Sequence, residues 1–154
     1  MKQKILLLLF PGILLFLLLI SCKSENLEQK PVEVVWDRDL CEVSGMVLSD
    51  RRFAVQIIEP DGKAYFFIDI GLAVQWLKDK KWEETAKIWV MDVYQLNWIE
   101  AKKANWLVGT HNTPMGFGYS ATINLIKNSL DFDTVKRKIN TLKNKKRERN
   151  RGVR

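Results

Sequence analysis

The order of hydropathy patterns along this 154-residue chain predicts an α+β fold: two small strand-rich units sharing a core, then a C-terminal helix and a basic tail. Three observations carry that expectation. Phe53, Val55 and Ile57 alternate with Ala54, Gln56 and Ile58, the period of two expected of a strand. Ile70, Ala73, Val74 and Leu77 recur at helical spacing and form one apolar stripe. Phe132, Val135, Ile139 and Leu142 do the same near the C-terminus, after which the only apolar residue is Val153.

Taken in order, residues 32–36 form a short apolar run expected to be an edge strand, and residues 46–48 start a second β-like segment. The strand beginning near Phe53 leads into Glu59-Pro60-Asp61-Gly62-Lys63. Pro60 presets its own φ and Gly62 can adopt a positive one, so a hairpin returns through residues 64–68. Asp69 is placed to cap the helix that follows, and Lys78, Lys80 and Lys81 lie at its C-terminal end, where the helix dipole favours cations. Residues 87–94 then read as a buried strand, giving the order strand, strand, helix, strand.

The second half begins with a turn at Gln95-Leu96-Asn97 into Trp98-Ile99-Glu100, followed by a strand over residues 104–108. Residues 109–119 (GTHNTPMGFGY) are an exposed loop punctuated by Gly and Pro, and residues 121–126 continue as strand or begin a helix. Asp131 is expected to cap the final helix.

At the N-terminus, Lys2 and Lys4 precede an apolar run over residues 5–20 interrupted by Pro11 and Gly12. That run is short for a membrane span. It ends in Leu19-Ile20-Ser21-Cys22, which resembles a bacterial lipobox, where a small residue precedes the cysteine that is acylated. Residues 1–21 are therefore expected to be a lipoprotein signal peptide, Cys22 the lipidation site with its acyl chains (palmitate among them), and residues 22–31 a tether. The expected location is the cell envelope, lipid-anchored to a bacterial membrane, with the domain over residues 32–126 outside the cytoplasm. Residues 127–154 hold the last helix and tail.

Charge is segregated. Residues 136–154 carry ten Lys or Arg and one Glu, whereas the stretch between leader and tail carries thirteen basic and seventeen acidic residues. A mildly acidic exported body does not suit nucleic acid, so no nucleic-acid partner is expected despite the overall charge of +7. The tail is expected either to contact anionic lipid or to stay solvated.

Of the two cysteines, acylation would consume Cys22 and leave Cys41 as the sole free thiol, without an intramolecular disulfide partner. Cys41 and the single His111 could be read as a Cys–His hydrolase pair, but no nucleophile elbow or oxyanion-hole motif surrounds Cys41, and no enzyme is expected. One Cys and one His fall short of a structural zinc site. Gly116-Phe117-Gly118 is only a fragment of a phosphate loop, and the Asp37–Asp39 carboxylates sit in a polar, solvent-facing segment. Cu(I) asks for less: it is soft, accepts two or three ligands, and is selected by thiolate with thioether. Cys41, Met46 and Met115, joined by His111, supply such a set if their loops meet. Each has an ordinary alternative, a core thiol, a strand methionine, a gap-filling methionine and a loop histidine. Met91 reads as core.

Residues 37–123 resemble the NosL family, lipoprotein accessory proteins of nitrous oxide reductase. The matching stretches are CEVSGM, SDRRFAVQIIEPDGKAYFFIDIGLAVQWL, WVMDVYQLNWIEAKKANWLV and TPMGFGY. The resemblance implies a membrane-anchored Cu(I)-binding chaperone, built from two ββαβ-type units, that supplies copper to an envelope copper enzyme such as the reductase. The position before Gly-Met that is commonly Cys in the family is Ser44 here. The alternative expectation is a metal-free lipoprotein interaction module with a decayed copper site.

Overall fold

The computed structural model describes residues 29–151, with side chains described to residue 142. The expected signal peptide, Cys22 and most of the tether lie outside the described residues. Six strands and two α-helices follow in the order β1 (Val55–Ile58), β2 (Ala64–Phe67), α1 (Ile70–Leu77), β3 (Lys87–Met91), β4 (Trp98–Glu100), β5 (Asn105–Val108), β6 (Tyr119–Thr122) and α2 (Phe132–Arg151). The fold is α+β, with antiparallel sheets and a C-terminal helix. No described helix is long and apolar enough to cross a membrane.

The first unit has the strand, strand, helix, strand order expected of it. Its sheet runs β2-β1-β3-β4, every pair antiparallel, and β4 joins it from the second half of the chain. The rest of the second half is a β5–β6 hairpin followed by α2, and no described strand comes after that helix. The two sheets are linked where Asp92 bridges Ala121 in parallel, with Val93 N–H donating to Ala121 O at 2.9 Å.

Register explains the core. Val55 lies opposite Phe67 and Val90, Ile57 opposite Tyr65 and Ile88, and Val90 opposite Ile99, so these side chains share one face of the sheet. Against that face α1 buries Ile70, Ala73, Val74 and Leu77, and α2 adds Phe132, Val135 and Ile139. Leu142, expected on the packed side, is 50% exposed, so packing of α2 ends one turn earlier than its periodicity suggests. The described core lies entirely between Val34 and Ile139, so a chain beginning at Gln29 carries all of it.

The opposite face of the sheet is covered by the N-terminal segment, and here the expected edge strand over residues 32–36 is corrected. That segment joins no sheet. The fully buried Gln56 side chain captures it instead: Val32 N–H donates to Gln56 Oε1 and Gln56 Nε2 to Val32 O, both at 2.9 Å. One amide side chain thus satisfies the two main-chain groups a neighbouring strand would have taken. Trp89 Nε1 donates to Gln29 O at 2.8 Å, holding the start of the segment to the same face.

The β-like segment expected at residues 46–48 is a single bridge, Val47 to Leu40. The final strand runs Tyr119–Thr122, earlier than residues 121–126, because Tyr119 pairs with Val108 and Ile123 N–H is taken by the Asp92 carboxylate.

Candidate functional site

Cys41 opens a tight turn. Gly45 N–H donates to Cys41 O at 2.9 Å and Cys41 N–H to Met46 O at 2.8 Å, closing a loop whose reversal needs the positive φ of Gly45, 68°. The turn presents its residues unequally. Cys41 is 2% exposed and packs in the apolar core, whereas Met46 is 53% exposed and Ser44 stands at the surface. Its one described main-chain link to the sheet runs from Glu42 N–H to Phe66 O on β2, 2.8 Å.

Met115 belongs to a second closed loop. Gly109 N–H donates to Gly118 O at 2.8 Å, Gly116 N–H to Thr113 O at 3.0 Å and Gly118 N–H to Thr113 Oγ1 at 3.0 Å. The loop is clamped to the start of α1 by one carboxylate. Asp69 accepts from Gly71 N–H through Oδ1 at 2.8 Å, as an N-cap does, and from Met115 N–H through Oδ2 at 3.2 Å. Beside this clamp the Phe117 ring lies over Gly71, so closely that a Cβ at position 71 would overlap it. Only glycine lets the ring and the helix approach this far.

Asp69 is fully buried, and that burial pushes its carboxyl above the usual carboxylate range. Hydrogen bonds from Gly71, Thr113, Met115 and Phe117 oppose the shift without cancelling it. Sequence reasoning identified Asp69 as a cap and missed its second oxygen. The partner is forty-six residues away, and no local pattern announces it.

The Cys41 turn is therefore tied to Phe66 and the Met115 loop to Asp69, three residues further along the same chain. At strand rise these attachment points are roughly 10 Å apart. Met115 is 40% exposed, so two thioethers stand at the surface, one on a turn tied to β2 and the other on a loop tied to the residue that caps α1.

His111 has other neighbours. Its Nδ1 lies 2.8 Å from Thr110 Oγ1 and 2.9 Å from Ser120 Oγ, and its ring meets Phe53 and Tyr94 edge-on at 6.3 and 6.0 Å. None of these partners is shared with Met115 or with the Cys41 turn. For Nε2 to bind a metal, Nδ1 must carry the proton and donate it to one of the two hydroxyls. Met91 is buried, as its strand pattern suggested.

Among the described residues, no three or more His, Cys, Asp and Glu side chains come together as a metal-holding group. Methionine sulfur is outside that set of donors. Cys41 and Met46 share one turn, with the thiol buried and the thioether exposed, and no described hydrogen bond joins that turn to the Met115 loop.

No protein-family model matches the chain, and no curated protein matches it.

Proposed function

We propose that this chain is a non-enzymatic, lipid-anchored Cu(I)-binding protein of the cell envelope, which hands copper to an acceptor such as nitrous oxide reductase. The observation that carries this reading is the attachment of the Cys41-Met46 turn and the Met115 loop to one short stretch of chain, with both methionines open to solvent. In this reading Cys41 holds the metal as thiolate, and Met46 or Met115 completes a two- or three-coordinate site, with His111 as a further donor on the Met115 loop. Thioether ligands bind Cu(I) without needing to lose a proton, so an incoming thiol or imidazole can replace them one at a time. Copper is the cargo. Acylation at Cys22 would confine the donor to the membrane that its client faces.

The low exposure of Cys41 supports a second reading, in which the thiol is a core residue and the domain is a metal-free interaction module. A competitive Cu(I) titration of a chain beginning at Gln29 separates the two. Under the copper reading it binds one equivalent, Cys41→Ala abolishes binding, and Met115→Ala weakens it by roughly tenfold or more. Weak binding indifferent to both substitutions would leave the interaction module as the better account.

A further inference from the structure

The C-terminal helix outruns the domain it packs on. Ile139 is the last buried residue among the described side chains of α2, yet the helix continues to Arg151, on the order of 18 Å further. Residues 143–151 contain six Lys or Arg, one Glu and no apolar residue, so this length has nothing to bury and a high density of positive charge. At its root the helix forms one wall of an open groove of about 440 Å³, lined by Tyr119, Thr134, Arg137, Lys138, Thr141 and Leu142. The two cations, Arg137 and Lys138, suit a phosphodiester, with Tyr119 and Leu142 beside them, while the Thr134 and Thr141 hydroxyls already donate to Asp131 Oδ2 and Arg137 O. Arg137 is already oriented there by donating to Thr134 Oγ1 at 2.8 Å.

The position of this root matters as much as its charge. Lys136 forms ion pairs with Glu83 at 2.7 Å and Glu84 at 3.5 Å. Gln29 Nε2 donates to Thr85 O at 3.2 Å, on the same short connection. The N-terminal chain thus enters the described fold beside the place where α2 is fastened. From Cys22 to Gln29 an extended chain spans at most about 25 Å. A bilayer reached by that tether lies within range of the basic helix.

We propose that α2 and the groove at its root form an electrostatic docking surface for an anionic bilayer, which adsorbs to lipid headgroups without inserting. The choice of a bilayer over another polyanion rests on the lipid-anchored reading, because acylation at Cys22 would hold the basic helix within reach of a membrane surface. Acyl chains at Cys22 would supply the anchor, and the basic surface would hold the domain down against the headgroups.

Sedimentation of the chain beginning at Gln29 with vesicles tests this without the acyl group. Binding is expected to vesicles containing phosphatidylglycerol, to be lost at high salt and to be absent with pure phosphatidylcholine. Neutralising Lys143, Lys145 and Lys146 to Gln is expected to reduce affinity by roughly fivefold per charge, and Arg137→Gln with Lys138→Gln by at least about tenfold together. Circular dichroism would confirm that each variant is folded. Three results would overturn the proposal: equal binding to both vesicle types, no effect of removing these charges, or displacement of the vesicles by duplex DNA at equal charge. Mass spectrometry of the full chain for acylated Cys22 tests the anchor separately, so failure of one is not failure of the other.

Discussion

Replacing Asp92 by alanine is expected to cost about 3 kcal/mol or more of folding stability, the largest loss expected from a polar side chain among the described residues. This carboxylate is fully buried and accepts four hydrogen bonds: from Tyr94 N–H at 2.9 Å, Gln95 N–H at 3.0 Å, Thr122 Oγ1 at 3.0 Å and Ile123 N–H at 2.7 Å. Two of these close the turn between β3 and β4, and two stop β6, so one residue sews the hairpin to the four-stranded sheet. Alanine would leave those donors without an acceptor and open a route between the two sheets. Asparagine, which keeps the shape but points an N–H₂ at donors, is expected to cost less, about 1–2 kcal/mol. Urea denaturation of the three proteins measures the difference.

The same substitution has a pH signature. Burial pulls the Asp92 carboxyl upward, but its hydrogen bonds to Ile123, Gln95, Tyr94 and Thr122 outweigh that and hold it below the usual carboxylate range. Its contribution is therefore present above the unfolded carboxylate pKa and is lost as pH falls through the lower, native value. The gap in stability between the parent and Asp92→Asn should narrow across that acid window and stay constant above it. Asp69 works in the opposite sense. Its raised native pKa makes a contribution that is fully present below the unfolded pKa and lost as pH rises through the native one.

Under the copper reading, Ser44→Cys is expected to tighten Cu(I) binding by roughly a hundredfold under reducing conditions, the largest gain in affinity of any one substitution here. Ser44 stands exposed in the same turn as Cys41, with its hydroxyl facing Met46 N–H at 3.4 Å, a long contact that costs little to give up. A hydroxyl is a poor ligand for a soft monovalent ion and a thiolate a good one. The turn that carries residue 44 is already closed by hydrogen bonds at both ends, so a second thiolate would be added without ordering new chain. Competition with a chromogenic Cu(I) chelator gives the ratio directly. An unchanged affinity in Ser44→Cys would mean that the turn does not hold metal at all, and would count against the copper reading more heavily than loss of binding in Cys41→Ala, which a misfolded variant could mimic.

The elements most readable in the sequence were those whose cause is local. The hairpin around Gly62 and the helix capped by Asp69 lie where alternation, turn chemistry and a capping carboxylate put them. The elements that moved did so for distant reasons. Residues 32–36 have the composition of a strand but lost that role to the side chain of Gln56, two dozen residues on. β6 ends at Thr122 because of a carboxylate thirty residues earlier. The candidate site divides in the same way: Cys41, Met46 and Met115 stand out as residue types, while the clamp that fixes Met115 needs Asp69, Gly71 and Phe117 to meet in space.

The capture of Val32 by Gln56 bears on how the domain would carry a mechanical load. A protein held through its N-terminal end is pulled from there, and the first resistance comes from wherever the chain is fastened. Here that fastening is the pair of amide hydrogen bonds at Gln56, with the Gln29 contacts just before it, and no strand ladder shares the strain. Bonds of this kind open one after another rather than shearing together. Tension applied between that end and a second point of attachment would peel the cover from the back of the sheet, while β1 would keep its ladders to β2 and β3 on either side.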